Sequence, residues 1–100
     1  MSAYSLSLAA GLDLEAIWAE MALLDRDAAD RWLAAVFDCF ELLARTPVIG
    51  QPRRDLTAHP MLFWPVGDSL LLYRAKGGRV EFIAISRGPH DIPSLRAHAK

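Results

Sequence analysis

The sequence has 100 residues, a hydrophobic fraction of 53% and a formal net charge of −1. A chain of this size supports one hydrophobic core, so we expect a single domain over residues 1–100. The small net charge gives no general reason to expect nucleic-acid binding. No apolar run approaches the ~20 residues that a membrane-spanning helix needs, and we predict a cytoplasmic protein without a membrane partner.

The charges are distributed unevenly between the two halves of the chain. Residues 1–50 contain eight acidic and three basic side chains, whereas residues 51–100 contain four acidic and eight basic ones. An anionic or acidic partner should therefore meet the second half. Cys39 is the single cysteine, which argues against a disulfide framework and a cysteine metal cluster. We interpret it as a structural thiol and expect neither a metal site nor a cofactor.

The first half predicts a short strand followed by two helices. Residues 4–8 alternate large apolar and small polar side chains, as a strand does. Asp13 is the predicted N-cap of a first helix, and Asp25 or Asp27 that of a second helix, which ends before Pro47. Both helices carry an apolar stripe at helical spacing, in which we expect Trp18, Phe37 and Phe40 to be buried. The remaining stripe residues are Leu14, Ile17, Met21 and Leu24 in the first helix and Ala29, Leu33, Val36, Leu43 and Ala44 in the second.

Residues 61–92 predict an antiparallel meander of three strands. Gly67 at the first central position of a two-residue loop is typical of a type II′ turn, and Gly77-Gly78 allows a second tight turn. Pro65 cannot donate to a ladder, so its strand is expected to be an edge or to end there. The predicted fold class is α+β: an N-terminal strand, an αα-hairpin and the meander, with the hairpin packed on one face of the sheet.

The meander strands are apolar on both faces, because Leu70, Leu71 and Leu72 do not alternate with polar residues. By period two, the side chains of Arg79, Glu81, Ile83, Ile85 and Arg87 are expected on one face. One helical hairpin covers only one side of a sheet. We therefore expect an uncovered apolar face, and a partner that lays an amphipathic helix on it and adds a strand near Pro65.

Several short motifs occur in a fixed order along the chain. LARTPVIG covers the end of the second helix and the following loop up to Gly50, Tyr73-Arg74 lies in the second meander strand, and RGPHDI runs from Arg87 to Ile92. This arrangement resembles the ParE/RelE superfamily of toxins from type II toxin–antitoxin pairs, and the ParE branch most closely. That family usually has His-Gly-x-Arg-Asp-Ile at the last motif, so Arg87 and His90 keep its basic pair in exchanged order.

The resemblance implies a toxin that inhibits DNA gyrase by binding. It also implies a cognate ParD-like antitoxin, a ribbon-helix-helix protein with an amphipathic tail. We expect the target contact at Arg87, His90 and Asp91, and no direct specific DNA binding by this chain. The expected antitoxin contacts are Leu70, Leu72, Ile83 and Ile85.

Two other functions stay open from the sequence. RelE-type members cleave messenger RNA on the ribosome, and here Arg74, Arg87 and His90 would be the catalytic groups, with Tyr73 as a further candidate. The chain is alternatively a non-toxic interaction module. Structural roles compete at each position: Tyr73 as a core residue, and Arg87 as the ion-pair partner of Glu81 or Asp91.

Overall fold

The fold was derived from a computed structural model, which describes residues 4–52 and 61–87. Within these ranges a strand precedes two helices, and further strands follow, which confirms the predicted α+β class. In chain order the elements are β1 (Tyr4–Leu6), α1 (Leu8–Ala22), α2 (Arg26–Arg45), a 3₁₀ turn (Pro47–Ile49), β2 (Gln51–Pro52), β3 (Leu62–Val66), β4 (Ser69–Lys76) and β5 (Arg79–Ser86).

The strands form one sheet in the order β1-β5-β4-β3-β2. The meander β3-β4-β5 is antiparallel as predicted, and β2 pairs antiparallel with β3. The sequence could not place the N-terminal strand. It lies parallel to β5, with Tyr4 opposite Val80 and Leu6 opposite Phe82, which makes the sheet mixed.

The two hairpin turns have the backbone conformations that their glycines predict. Gly67 has φ 58°, while Asp68 after it keeps a negative φ, which is the pattern of a type II′ turn. Gly77 and Gly78 have φ 62° and 77°, and two consecutive positive φ angles define a type I′ turn. Both turn types match the right-handed twist of the strands they connect.

Helix α1 begins earlier than predicted. Ser7 is its N-cap, with Oγ accepting a hydrogen bond from the Ala10 amide at 3.0 Å. The same hydroxyl donates to the carbonyl of Ile83 at 2.7 Å, so the cap also attaches the helix to β5. Asp13 lies inside the helix, and its carboxylate accepts from the Ile85 amide at 2.9 Å. The prediction of Asp13 as an N-cap was wrong, because its carboxylate accepts a hydrogen bond from a strand amide instead of from the first turn of its own helix.

Helix α2 follows its prediction at both ends. Asp25 is its N-cap, accepting from the Ala28 amide at 3.1 Å, and the helix ends at Arg45 before Pro47. Its buried residues are Ala29, Val36, Phe40 and Leu43.

The expected burial of Phe37 was wrong, because this side chain is 42% exposed. Successive helical residues point about 100° apart, so Phe37 cannot share the direction of Val36. Leu24 from the predicted stripe of α1 is also exposed, at 84%, since α1 ends at Ala22. Trp18 is half-buried and joins the helices, with Nε1 donating to Asp30 Oδ1 at 2.9 Å.

The described core consists of two clusters, one on each face of the sheet. The helix-side cluster lies between the sheet and the helical hairpin and contains Ala10, Ile17, Val36, Phe40, Leu43, Val66, Leu71, Tyr73, Val80, Phe82 and Ile85. The second-face cluster contains Phe63, Leu70, Leu72, Ile83 and Ala84. Each of its members is at most 8% exposed. The expectation that this face is an open apolar surface was therefore wrong for these side chains.

The two edges of the sheet are protected from further strand pairing in different ways. Val66 and Ser69 flank a two-residue hairpin loop and form a hydrogen-bonded backbone pair. Hydrogen-bonded pairs alternate along an antiparallel ladder, so the carbonyl of the next residue, Pro65, points away from β4. Strand β2 pairs with Leu62 and Phe63, so within the described residues Pro65 lies on an unpaired stretch of the edge, where its missing N–H interrupts no ladder. On the opposite side, Ser7 and Asp13 occupy the edge of β5 beyond the end of β1.

Candidate target-binding end of the sheet

Arg87 follows the last residue of β5 and forms an ion pair with Glu20 of α1. Both side chains are about half exposed. The sequence offered Glu81 as a partner for Arg87, but Glu81 is taken by Arg74, whose Nη2 lies 2.8 Å from Glu81 Oε1. The alternative partner Asp91 lies outside the described residues, as does His90. Of the predicted target contacts, only the position of Arg87 is therefore described.

A hydrogen-bonded junction supports the backbone at Arg87. Trp32 of α2 donates from Nε1 to Ser69 Oγ at 3.1 Å, and Ser69 Oγ lies 3.4 Å from the Arg87 carbonyl, to which it donates. Next to it, the Leu70 amide donates to Ser86 Oγ at 3.2 Å. Both serines are buried. These bonds connect α2, the β3-β4 turn and the end of β5, so Arg87 extends from a fixed backbone.

Tyr73 is fully buried, as its interpretation as a core residue predicts. Its hydroxyl donates to the carbonyl of Pro47 at 2.6 Å. Gly50 is required beside it, because a Cβ at this position would lie 2.0 Å from the Tyr73 oxygen. Burial raises the pKa of Tyr73 above its usual value, and a hydrogen bond from the Gly50 backbone opposes this shift. The motif from Pro47 to Gly50 therefore serves to lock the end of α2 onto the sheet.

The groups proposed for ribonuclease chemistry are not assembled in the described residues. Arg74 is in register with Glu81, whereas Arg87 lies beyond the opposite end of β5. At about 3.3 Å per residue, the six residues from Glu81 to Arg87 place the backbones of Arg74 and Arg87 roughly 20 Å apart along the sheet. Tyr73 has its hydroxyl bonded to Pro47. The described positions therefore do not favour joint action of Arg74, Arg87 and Tyr73 on a single phosphodiester.

The four predicted antitoxin contacts lie on two faces of the sheet. Leu70, Leu72 and Ile83 belong to the second-face cluster, whereas Ile85 belongs to the helix-side cluster and pairs with Leu71. The expectation that Ile83 and Ile85 share a face was wrong. A register shift between Leu72 and Tyr73 inserts an extra residue in β5, and a bulge of this kind breaks the period of two.

A pocket opens at the border of the second-face cluster. Its volume is 280 Å³, and it lies where β3 extends beyond β2. Leu70 is the member of the predicted antitoxin set that reaches it. The lining residues are Gln51, Phe63, Trp64, Pro65 and Leu70.

A second depression, which we call the hairpin groove, lies between the two helices. Its volume is 390 Å³ and its lining is Gly11, Leu14, Glu15, Trp18, Leu33 and Phe37. Sequence reasoning missed it, because its large apolar residues were assigned to buried stripes, Gly11 to the helix start and Glu15 to a position off the stripe. The available signal was the composition of α1, in which apolar residues also occur outside the stripe.

Cys39 and the acidic side chains do not form a metal centre in the described residues, where no group of three or more His, Cys, Asp or Glu can hold an ion. Cys39 is half-buried against the helix-side cluster. Burial raises the pKa of its thiol, which a hydrogen bond with Trp64 partly opposes. Its thiolate is thus disfavoured, as expected for a structural cysteine. No helix of the described residues is both long and apolar enough to cross a bilayer.

Comparison with known proteins assigns the chain to a family. The sequence profile described as the ParE toxin of the type II toxin–antitoxin system parDE matches residues 4–92. The chain belongs to this family of toxins. Its fold is similar to a chain of the chromosomal ParDE TA system from P. aeruginosa, with a TM-score of 0.72 and 18% identity over 88% of this chain and 97% of that one. A search of the curated proteins gave no match.

Proposed function

We propose that this chain is a toxin that inhibits DNA gyrase by binding and that a cognate ParD-like antitoxin neutralises it. The observation that carries the proposal is the match of the ParE toxin family over residues 4–92. The alternative, a ribosome-dependent messenger-RNA endonuclease, is less well supported. It needs cations and a proton donor at one phosphate, whereas Arg74 and Arg87 are roughly 20 Å apart along the sheet.

The proposed target contact is centred on Arg87, with His90 and Asp91 as its further members. Arg87 offers a solvated guanidinium, and its backbone is anchored by the Ser69 hydroxyl. Its ion pair with Glu20 is exposed, and exposed pairs contribute only about 0–1 kcal/mol. Replacement of Glu20 by an acidic group of a target, as the ion-pair partner of Arg87, therefore costs little free energy. A mixed-charge rim of this kind suits protein binding.

The target contact is tested by gyrase supercoiling and DNA-cleavage assays with purified chain. Arg87→Ala should weaken inhibition, whereas the matched variant Arg79→Ala, at the other end of β5, should leave it unchanged. Both positions are exposed, so both variants should keep the wild-type melting temperature. Cleavage of ribosome-bound messenger by the wild-type chain, with supercoiling unaffected, would refute the proposal in favour of the endonuclease. If expression of the wild-type chain does not inhibit cell growth, the chain is better described as a non-toxic interaction module.

The proposed antitoxin contact is the second sheet face at the 280 Å³ pocket. Leu70 lines the pocket, and Leu72 and Ile83 belong to the same buried cluster. Ile85 has no part in this surface, because it faces the helices. An amphipathic tail would place an apolar side chain in the pocket and lie across its border. Strand addition at Pro65 is not part of the proposal, since that stretch of edge offers no outward N–H.

This contact is tested by titrating the purified chain with the product of the adjacent antitoxin gene. Leu70→Gln should weaken the complex, because an apolar pocket wall is replaced by an amide. Leu24→Gln is the matched control, since Leu24 is exposed at the link between the helices. Equal losses in both variants would contradict the assignment of the pocket.

A further inference from the structure

The end of the β4-β5 hairpin carries positive charge that the proposed function does not use. Arg74 and Lys76 lie on β4, and Arg79 lies on β5 opposite Lys76. We call the segment from Arg74 to Arg79 the basic ribbon. It contains three basic residues and no acidic one, whereas the whole chain has a net charge of −1. Glu81, just beyond it, is the one acidic residue in the sequence of the hairpin.

The basic ribbon projects from the sheet as two strands. The last pair between β3 and β4 at this end joins Leu62 to Tyr73, so beyond Tyr73 strand β4 pairs only with β5 in the described part of the chain. On the other side, the described part of β1 reaches only to the level of Val80. Arg74, Arg79 and both turn glycines are exposed. The ribbon is therefore narrow enough to enter a groove of another molecule.

The turn at the tip of the ribbon allows close approach. A Cβ at Gly77 or Gly78 would meet no atom within 4 Å. Lys76 and Arg79 form the last pair of the ladder, so the amides of the two glycines lie outside it. Backbone without side chains can come close to a ligand. The tip thus offers amide donors next to basic residues, a combination that suits phosphate oxygens.

The two arginines of the ribbon differ in their partners. Arg74 donates from Nε to Glu81 Oε1 at 3.0 Å, and its Nη2 lies 2.8 Å from the same oxygen. Their side chains are 45% and 35% exposed, and exposed pairs are weak, so Arg74 can exchange Glu81 for another anion. Arg79 forms no ion pair with a described residue. Both guanidinium groups are therefore available to neighbouring anionic groups of one ligand.

We propose that the basic ribbon binds the phosphate backbone of duplex DNA, with its two strands in the major groove. This groove is about 12 Å wide and admits two strands that lie about 4.8 Å apart, whereas the major groove of duplex RNA is too narrow. Phosphate contacts do not read base sequence, which agrees with the expected lack of specific DNA binding. An acidic protein surface would supply the charge but not the groove.

This proposal goes beyond the gyrase and antitoxin contacts proposed above and does not depend on them. Arg79 and Arg87 lie at opposite ends of β5, so the DNA contact is separate from the proposed target contact. Loss of one contact should therefore leave the other intact.

The test follows the fluorescence anisotropy of labelled duplexes that are titrated with the purified full chain. The probes are two DNA duplexes of unrelated sequence and an RNA duplex of the same length. We expect both DNA duplexes to bind alike, and at least about fivefold more tightly than the RNA duplex. Across a series of KCl concentrations, the three cations should contribute roughly −2.7 to the slope of log K against log [KCl]. Polyglutamate, which represents an acidic protein surface, should displace DNA poorly.

Two double variants locate the binding site. Lys76→Ala/Arg79→Ala should weaken DNA binding about tenfold or more at low salt and make the slope less steep by roughly 2. Arg26→Ala/Arg31→Ala changes the net charge equally at exposed positions of α2 and should have little effect. Circular dichroism confirms that each variant is folded.

A gain of binding is expected from Glu81→Gln. This change removes the negative charge of the hairpin and releases Arg74 from its ion pair, so DNA should bind about threefold more tightly. A misfolded variant would not bind more tightly, so this result is independent of the losses above.

Four results would overturn the proposal. The wild-type chain does not bind DNA at low salt, or it binds duplex RNA as tightly as duplex DNA. The two double variants have equal effects, or polyglutamate displaces DNA as well as unlabelled DNA does, which would identify an acidic protein surface as the ligand.

Discussion

The two helices pack on the same sheet, but α1 has polar attachments to β5 in addition to its apolar contacts. Helix α1 is joined to β5 by polar groups, the Ser7 hydroxyl at the Ile83 carbonyl and the Asp13 carboxylate at the Ile85 amide. Leu8 and Leu12 of this helix are exposed, whereas Ile17 is buried in the helix-side cluster. Helix α2 has the usual arrangement, with a buried apolar stripe and charged residues outside.

This difference shows that a sequence reveals apolar contacts more readily than individual hydrogen bonds between distant residues. Apolar spacing identifies the inner side of α2, because burial of apolar area is what holds that helix. The same spacing places Leu14, Ile17 and Met21 on the inner side of α1, but it does not indicate the two hydrogen bonds that also attach this helix to β5.

The largest effect should come from comparing two aromatic residues of α2. Phe40→Ala removes a fully buried ring from the helix-side cluster and should cost about 3–5 kcal/mol of unfolding free energy. Phe37→Ala truncates a ring that is 42% exposed, and it should cost about 1 kcal/mol or less. Urea unfolding of both variants measures the difference. Equal losses would mean that Phe37 belongs to the core after all.

The polar attachment of α1 is tested by Asp13→Ala. This change leaves the Ile85 amide without its acceptor, and a partly buried orphan donor costs about 1–3 kcal/mol. Glu15→Ala is the control on the exposed side of the same helix and should stay within about 0.5 kcal/mol of wild type. If both substitutions have the same small effect, α1 is held by apolar contacts, as α2 is.

The lock at the end of α2 is tested by Tyr73→Phe, which removes the hydroxyl bonded to Pro47. The free energy of unfolding should fall by about 0.5–1.5 kcal/mol at neutral pH. Because the pKa of Tyr73 is raised in the folded state, its contribution is complete below the usual tyrosine pKa of 10.0 and is lost as the pH rises above it. Urea midpoints measured from neutral to alkaline pH should therefore fall less steeply in the variant. Parallel pH profiles would contradict this account.

The smallest effect concerns the outer side of α1 and has the opposite sign. Gly11→Ala should stabilise the chain by about 0.5–1 kcal/mol, because alanine is the better helix former and its Cβ meets nothing. Gly67→Ala is the contrasting control and should destabilise, since its φ of 58° disfavours a side chain. A loss of stability in Gly11→Ala would show that the hairpin groove is tightly packed in the free chain.

Features set by neighbouring residues were predicted well from the sequence. Gly67 and the Gly77-Gly78 pair determine their turns within four residues, and Asp25 and Pro47 mark the limits of α2. The N-cap of α1 was not predictable in the same way. Ser7 continues the alternation of the preceding strand, while Asp13 has the appearance of a cap until its bond to Ile85, 72 residues away, is known.

For the candidate sites, the sequence indicated individual residues but not which of them lie together in the fold. Burial of Tyr73 was foreseen, whereas its bond to Pro47 depends on how α2 meets the sheet. The division of Ile83 from Ile85 follows from a single bulge that no local pattern marks. The partner of Arg87 was missed as well, since no local pattern links it to Glu20, which is 67 residues away in the sequence.

The parallel pairing of β1 with β5 has a consequence for the order in which the chain folds. Ser7 donates to Ile83 across 76 residues of sequence, and the helix-side cluster needs side chains of β5 from Val80 to Ile85. During synthesis the first strand and both helices leave the ribosome before their sheet partner exists. A nascent chain arrested before Arg79 should therefore be protease-sensitive along its whole exposed length. Acquisition of the fold, and of any toxicity that needs it, is delayed until translation has passed the last strand.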